Sequence, residues 1–251
     1  ANRNAIQDKI RTAIEDAAPG ESVGVLFLDL DNFKKVNDHY GHVFGDRLIC
    51  DVSSAIHACL NEGDALARLG GDEFIVLATR CTAHDREATA QRILERLRTP
   101  FSLGLVEVYT GCSIGIAPTR LLAKMAGDMR KPDGLTLLTE QDLPQRLHAL
   151  ALDDIPGVGG RMKQRLLRAN IHSIEQLLAL GPTQCARVWG GTPGARLWAQ
   201  LMGIDHGDAA TQTRSIGHSH VLAPADRLPE PARLTCRRLL LKAASRARAT
   251  T

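Results

Sequence analysis

The chain has 251 residues, of which 44% are hydrophobic and 24% are charged, a globular composition that excludes a disordered protein. No apolar run approaches the roughly 18 residues that a membrane span requires, and no basic-then-apolar leader is recognisable. The six cysteines contain no C-x-x-C pair, which favours reduced thiols over a disulfide framework or a zinc site. We therefore expect a cytoplasmic protein without a membrane segment.

Charge is distributed unevenly along the chain. Residues 1–119 carry 12 Lys and Arg against 17 Asp and Glu, whereas residues 120–251 carry 19 against 11. An acidic half followed by a basic half favours metal-dependent nucleotide chemistry in the first and a polyanionic partner for the second. Charge alone equally allows two solvated surfaces.

The first half of the chain predicts alternating helices and strands. Residues 23–30, VGVLFLDL, form an apolar run that is typical of a strand buried on both faces. Gly70 and Gly71 indicate a hairpin, because glycine adopts positive φ angles at little cost. Other elements predicted from apolar spacing are helices over 6–17, 48–60 and 88–97 and strands over 65–69, 74–78 and 106–117. This order fits helices packed on one face of a mixed, largely antiparallel sheet.

The second half of the chain predicts mainly helices. A short helix over 121–129 and a strand over 135–138 precede a wholly helical pattern that extends to residue 203. A linker rich in Asp, Ala and Thr follows over 205–213. The last stretch, residues 227–248, carries seven Lys or Arg and one Glu, which favours contact with a polyanion.

Carboxylates cluster at two predicted strand ends. Asp29 and Asp31 end the first predicted strand, and Asp72 and Glu73 lie in the predicted hairpin. If the two strands are neighbours, these side chains surround a divalent ion, and Mg²⁺ (or Mn²⁺) with a nucleoside triphosphate suits such hard oxygen ligands. Taken singly, each Asp is better explained by the preference of Asp for strand ends and turns.

Two strings favour the metal site. LDLDNFKKVNDHYGHVFGDRL at 28–48 and RLGGDEFIVL at 68–77 closely resemble the GGDEF diguanylate cyclase family, over residues 2 to about 117. The resemblance implies that the metal is bound by the residues Asp29, Leu30 (through its main-chain carbonyl), Asp72 and Glu73. It also implies that Glu73 assists deprotonation of a ribose 3′-hydroxyl or holds a second metal ion that does so. Asp29, Asp72 and Glu73 are thus the predicted catalytic residues.

The same resemblance implies GTP as the substrate. Asn37 and Asp46 would hydrogen-bond the guanine, and the main chain of Asn32, Phe33 and Lys34 would cradle the phosphates, with the Lys34 side chain nearby. Two GTP molecules would be condensed into cyclic di-GMP across a transient homodimer. Such phosphoryl transfer depends on positioning and charge neutralisation, with little covalent work for the protein.

Three features depart from the family pattern. The R-x-x-D of its inhibitory product site is replaced by Asn61, Glu62, Gly63 and Asp64, so we expect no product feedback there. Its first motif is present only as Asn2-Arg3. Its closing segment, a helix with phosphate-binding Lys and Arg before a final strand, is expected to be missing.

Residues 113–251 resemble a second family. SIGIAPTRLLAKMAGDMRKPDGLTLL at 113–138, DIPGVGGRMKQRLLRANI at 154–171 and RSIGHSHVL at 214–222 resemble Y-family translesion DNA polymerases of the ImpB/MucB/SamB type. The resemblance implies that Lys124 contacts the triphosphate of an incoming nucleotide. A solvated lysine on a helix face is the alternative.

The string at 154–171 resembles a helix-hairpin-helix that contacts the DNA phosphate backbone. Gly157 and Gly159 would let backbone N–H groups approach a phosphate at a helix N-terminus. The glycines alone fit an ordinary turn between helices, but the basic residues that follow, among them Arg161 and Lys163, favour phosphate binding.

We predict an α/β palm-like GGDEF domain over 1–140 that is polymerase-like from about residue 113, a small all-α helix-hairpin-helix domain over 146–204, and an incomplete little-finger-like segment over 205–251. The leading hypothesis is a GGDEF-type nucleotidyl transferase with a DNA-binding C-terminal half. The alternatives are a translesion polymerase relative, disfavoured because no fingers are recognisable, and a catalytically degenerate DNA-binding module with a GTP pocket, favoured if the closing helix is missing.

Overall fold

The computed structural model describes residues 3–17, 22–204 and 233–240. The chain divides into two compact units, residues 1–206 and residues 207–251. Within the second unit, the described residues form one helix.

Several features of the sequence lie outside the described residues. These are Asn2, the linker over 205–213, the string over 214–222 and all of the basic stretch except its helical part at 233–240.

In the described part of the first unit, helices and strands are interspersed as far as residue 137, and only helices and 3-10 turns follow. The helices are α1 (Arg3–Glu15), α2 (Phe33–Tyr40), α3 (His42–Ala58), α4 (Ala83–Leu97), α5 (Arg120–Met129), α6 (Gly160–Arg168), α7 (Ile174–Ala179), α8 (Gly181–Trp189) and α9 (Thr192–Leu201). The strands are β1 (Ser22–Leu30), β2 (Ala65–Gly70), β3 (Glu73–Cys81), β4 (Phe101–Leu103), β5 (Val106–Val108), β6 (Cys112–Ile116) and β7 (Leu135–Leu137). Short 3-10 turns at Glu140–Asp142, Gln145–Leu147 and Leu152–Asp154 lead from β7 to α6.

Strand β1 lies at the centre of a five-stranded sheet whose order is β2-β3-β1-β6-β7. It pairs antiparallel with both β3 and β6, and β7 joins the edge parallel to β6. Strands β4 and β5 form a separate hairpin. The prediction of a mixed, largely antiparallel sheet is confirmed.

Helices cover both faces of the sheet, so the predicted packing on one face is wrong. Leu26 and Leu28 of β1 belong to a core shared with α3 and α4. Phe27 of β1 and Ile75 of β3 belong to a second core, which includes Ile6 of α1. Successive residues of a strand point to opposite faces, and those of β1 are apolar at both positions, so both faces must be covered.

Helix α5 and strand β7 close the sheet, which corrects the expectation that the closing segment is missing. Helix α5 packs against β6 and β1, and β7 extends the sheet beyond β6. The Thr119 hydroxyl caps α5 by accepting a hydrogen bond from Leu122 N at 3.2 Å, and it donates one to the Gln200 carbonyl oxygen in α9 at 3.0 Å. The segment is present because its apolar face is kept even though its string differs from the family pattern.

Residues 139–204 form a helical region against another side of α5, as the sequence predicts. Leu122 and Met125 of α5 share a hydrophobic core with residues such as Leu152, Leu166 and Leu201. The sheet and the helical region are thus built on one common helix. The finer division of this unit near residues 140 and 146 stays a prediction.

No helix among the described residues is long and apolar enough to cross a bilayer. All six cysteines lie in described residues, and none forms a disulfide bond. Burial raises the pKa of the Cys185 thiol to about 11 and also raises the pKa of Cys112. These two thiols are therefore poor nucleophiles at neutral pH.

The close packing of β6 on α5 makes Gly115 sensitive to substitution. A Cβ atom at Gly115 would lie 1.8 Å from the Ala123 carbonyl oxygen and 2.4 Å from Gly127 N. We expect Gly115→Ala to lower the free energy of unfolding by about 1–3 kcal/mol or more, because backbone atoms would have to move. Urea unfolding measures this change. Gly160→Ala, whose Cβ would meet no atom within 4 Å, is the control, and equal stability of the two variants would contradict this packing.

Candidate functional site

The pairing of β1 with β3 brings the predicted acidic residues to one end of the sheet. Asp29 of β1 lies opposite Glu73 of β3 in the antiparallel register. Leu30 N donates a hydrogen bond to the Asp72 carbonyl oxygen at 3.1 Å. The four residues that were predicted to hold the metal are therefore neighbours in space, although they come from two segments more than 40 positions apart.

A glycine turn sets the position of the acidic pair. Gly70 and Gly71 have φ angles of 151° and 55°, which favour glycine at both positions. The Arg68 guanidinium donates two hydrogen bonds to the Gly71 carbonyl oxygen, at 2.9 Å from Nε and 2.7 Å from Nη2. The turn that presents Asp72 is thus fixed by a bidentate contact from β2.

Two lysines from the segment after β6 contact these carboxylates. Lys124 of α5 forms an ion pair with Glu73, and its Nζ lies 5.2 Å from the centre of the Phe27 ring. Lys131, which follows α5, places its Nζ 2.7 Å from Asp29 Oδ1 and 2.7 Å from Asp128 Oδ1. Positive charge therefore lies within the site itself.

The electrostatics of Asp29 reflect burial among like charges. Burial raises the pKa of the Asp29 carboxyl, Lys131 opposes that shift, and the charges of Asp72 and Asp128 raise the pKa further. Burial alone would lower the pKa of Lys131, but its bonds to Asp128 and Asp29 outweigh that effect and raise it. Asp29 thus lies in a place where an additional cation is electrostatically favoured.

The donor atoms at this site fit a hard divalent cation. Asp29 and Asp72 offer carboxylates. Leu30, whose main-chain carbonyl is the third predicted ligand, follows Asp29 and is hydrogen-bonded through its N–H to Asp72. Among the described residues, no group of three or more His, Cys, Asp and Glu side chains is arranged to hold a metal ion. Mg²⁺ keeps several waters and commonly takes only one or two carboxylates, so the available donors suffice for it.

Asp31 does not join the other carboxylates, which corrects the grouping suggested by its place beside Asp29. It is 6% exposed, and both of its carboxylate oxygens accept from the Ser113 hydroxyl at 3.0 Å. Its Oδ2 also accepts from Asp133 N at 2.8 Å. Asp31 is therefore a structural clamp that ties the end of β1 to β6 and to the loop before β7.

The predicted nucleotide-binding residues gather where β1 ends and α2 and α3 meet. Asn32 has a φ of 61° and precedes α2, with the Lys34 side chain exposed beside it and Phe33 buried. The Asn37 side chain lies directly over Gly45 of α3, where a Cβ would be 1.9 Å from Asn37 Oδ1. Asp46, the next residue along α3, is exposed.

The window that replaces the family's R-x-x-D is held by internal hydrogen bonds. Asp64 accepts from Asn61 N at 2.9 Å and from Thr79 N at 3.0 Å. The Arg92 guanidinium donates to the Cys59 carbonyl oxygen at 3.1 Å and to Asn61 Oδ1 at 3.3 Å. Asn61, Asp64 and Arg92 therefore all have hydrogen-bond partners within the protein.

The predicted DNA contacts lie at the start of α6. Gly157, with a φ of 93°, and Gly159, which caps α6, are both exposed in the hairpin, and Arg161 is exposed in the first turn. Lys163 instead pairs with Asp153 at 2.8 Å, so its charge is partly neutralised. Local sequence gave no signal for this pair, because the two residues are ten positions apart and separated by the hairpin.

A groove lies between α5 and the hairpin before α6. Its volume is about 590 Å³, and it is lined on one side by α5 residues that include Lys124 and Asp128 and on the other by residues 153–159. The lysine that pairs with Glu73 therefore also faces the hairpin.

Lys131 and Asp128 are site residues that the sequence analysis missed. Lys131 contacts Asp29 across 102 positions of the chain, and no local pattern encodes such a contact. The only available signal was the position of Lys131 just after the predicted helix over 121–129. That helix had not been expected to take the place of the closing helix of the GGDEF family.

The fold and the site define a mixed α/β domain of GGDEF type followed by a helical region. Residues 1–131, more than half of the chain, match the family "Diguanylate cyclase, GGDEF domain". The chain belongs to this family.

Two curated proteins and one solved structure illustrate its relatives. The chain is 61% identical over 116 residues to the cyclic di-GMP phosphodiesterase PdeR of Escherichia coli (strain K12), covering 46% of this chain and 17% of PdeR. It is 42% identical over 120 residues to DNA polymerase IV of Pelotomaculum thermopropionicum, covering 46% of this chain and 30% of that protein. The GGDEF domain of PA1120 (YfiN or TpbB) from Pseudomonas aeruginosa has a TM-score of 0.51 and 32% identity, covering 55% of this chain and 95% of that one. The chain spans less than a third of either curated relative.

Proposed function

We propose that the chain is a metal-dependent nucleotidyl transferase that condenses two GTP into cyclic di-GMP, with a helical region that contacts DNA. The observation that carries the proposal is the register of Asp29 opposite Glu73, beside Leu30 and Asp72, at an end of the sheet closed by α5. Membership of the GGDEF family supports GTP as the substrate and Mg²⁺ or Mn²⁺ as the metal.

The reaction joins two nucleotides by two equivalent displacements. The 3′-hydroxyl of each GTP attacks the α-phosphorus of the other, so two phosphodiester bonds form and two pyrophosphates leave. A metal ion held by Asp29, Leu30 and Asp72 would neutralise charge on the triphosphate. Glu73 accepts the proton of the attacking hydroxyl, and Lys124 holds its carboxylate in place.

Cyclisation requires a second nucleotide, and we propose that a second copy of the chain supplies it. The described residues offer one set of predicted guanine ligands, Asn37 and Asp46, and so one GTP site. Two such copies that face each other bring each 3′-hydroxyl to the opposite α-phosphorus. A transient homodimer is therefore part of the proposal.

Contact with DNA is the second role that we propose, for the helical region. Gly157 and Gly159 present backbone N–H groups at the start of α6, and a shallow surface beside them is lined by Arg161, Arg165 and Arg168. Similarity to DNA polymerase IV supports this role. A translesion polymerase relative or a degenerate DNA-binding module would bind DNA without forming cyclic di-GMP, so assays of both activities distinguish these alternatives.

The catalytic assignment is tested by removing the acidic residues singly. We expect Asp72→Ala and Glu73→Ala each to reduce cyclic di-GMP formation at least about a hundredfold, because developing charge and the transferred proton lose their partners. The assay incubates the full chain with Mg²⁺ and labelled GTP and separates the products. Glu62→Ala, an exposed acid in the turn before β2, is the matched control. Formation that survives both substitutions would refute the assignment.

Guanine selection is tested at Gly45. We expect Gly45→Ala to weaken GTP binding about tenfold, as Asn37→Ala does, because the new methyl group displaces the Asn37 side chain and a hydrogen bond to guanine is lost. Calorimetric titration with GTP and ATP provides the measurement, and the unchanged chain should prefer GTP. Gly160→Ala should leave both affinities unchanged. Equal binding of ATP and GTP would count against the proposed substrate.

DNA binding is tested by its dependence on salt. We expect labelled primed DNA to bind without sequence preference, with a Kd of about 10⁻⁴–10⁻⁶ M that weakens steeply with salt. Arg161→Ala should reduce the slope of log K against log salt by about one, because one phosphate contact is lost. Arg187→Ala, which removes the same charge from an exposed position on α8, is the control. Binding that ignores salt, or no binding at low salt, would rule this role out.

A further inference from the structure

Lys131 forms an ion pair with one carboxylate oxygen of Asp29. Its Nζ is 2.7 Å from Asp29 Oδ1, and the side chains of Lys131 and Asp29 are only 35% and 18% exposed. Partly buried ion pairs are screened by salt less than surface pairs are, so this contact is energetically significant.

The loop that carries Lys131 is fixed by independent contacts. Asp133 N donates to Asp31 Oδ2 at 2.8 Å, and Arg98 Nε donates to Asp133 Oδ2 at 2.6 Å. Asp31 is itself buried and bound to Ser113. The residue two positions after Lys131 is therefore anchored to both β1 and the end of α4, which directs Lys131 toward Asp29.

Lys131 also has a second carboxylate within reach. Asp128, in the last turn of α5, places its Oδ1 2.7 Å from the same Nζ. If Lys131 leaves Asp29, it keeps Asp128 as a partner, so no charge is left buried and unpaired. The exchange of one cation for another at Asp29 is thus possible without unfolding the loop.

We propose that Lys131 is an internal counter-ion of the metal site, which a divalent cation must displace from Asp29 before it binds. The inference rests on the proposed function, because it takes Asp29 as a metal ligand. The loop between α5 and β7 then controls, through Lys131, how tightly the site binds metal. Affinity is then lower than the oxygen donors alone would give.

Calorimetric titration of the full chain with Mn²⁺, in the absence of nucleotide, tests this assignment. We expect Lys131→Met and Lys131→Gln to bind Mn²⁺ about five- to tenfold more tightly than the unchanged chain, because the competing cation is gone. Lys131→Arg should keep the original affinity. Lys35→Met removes the same charge from an exposed position on α2 and should change the Mn²⁺ affinity less than about twofold.

The outcomes separate this inference from the proposed function. Asp29→Asn identifies the site, because it should abolish the Mn²⁺ binding that Lys131→Met strengthens. Unchanged or weaker binding in both Lys131→Met and Lys131→Gln, with binding that still depends on Asp29, would overturn the role of Lys131 alone. Binding that does not depend on Asp29 would overturn the metal site and with it both proposals. Two neutral variants are measured so that a folding defect in one leaves the other to decide.

Discussion

The burial of β1 on both faces is the constraint on which the rest of the structure depends. It pairs with β3 along most of its length and with β6 over residues 26–30, so the part of β1 that leads to Asp29 is paired on both sides. A strand held in this way ends at a defined point, and Asp29 lies at that point. Asp29, the proposed metal ligand on β1, therefore stands on a rigid element, whereas Asp72 comes from the glycine turn and the opposing lysines come from α5 and the loop after it.

The predicted resemblance changes from the GGDEF family to the translesion polymerases at β6, a strand that has a place in the sheet. Strand β6 completes the core beside β1, and Gly115 lets α5 approach it closely. The segment that follows was predicted to resemble translesion polymerases, yet it supplies the helix and the final strand that complete the sheet. It also supplies the two lysines that contact the acidic residues. Sequence resemblance and structural role thus divide the chain at different places.

Local patterns predicted the elements that depend on local physics. The apolar run of β1, the glycine hairpin before Glu73 and the helical pattern that follows the strand over 135–138 are confirmed as far as residue 203. Helix α2 was not predicted, and β4, with three residues, is too short to show a period. The apolar residues at successive positions of β1 already indicate that both faces of the sheet are covered, but the predicted packing placed helices on one face only.

Contacts between distant segments could not be predicted. Lys131 and Asp133 each meet their partners, Asp29 and Asp31, across 102 positions, and such pairs depend on the completed sheet. Asp29 and Asp31 looked equivalent in the sequence because they are two positions apart. The structure separates them. Asp29 lies opposite Glu73, whereas Asp31 is buried and accepts hydrogen bonds from Ser113 and from Asp133 N.

Helix α5 couples the stabilities of the two regions that it joins. Leu122 and Met125 belong to the helical core, while Ala123 belongs to the core beneath the sheet, and Thr119 bridges to α9. A helical region of this size buries a small fraction of its surface when it stands alone, and it gains from a neighbour's apolar face. Unfolding of either region strips α5 of half its surroundings, so we expect cooperative melting rather than two independent transitions. The integrity of the acidic site therefore depends on helices that contribute none of its acidic residues.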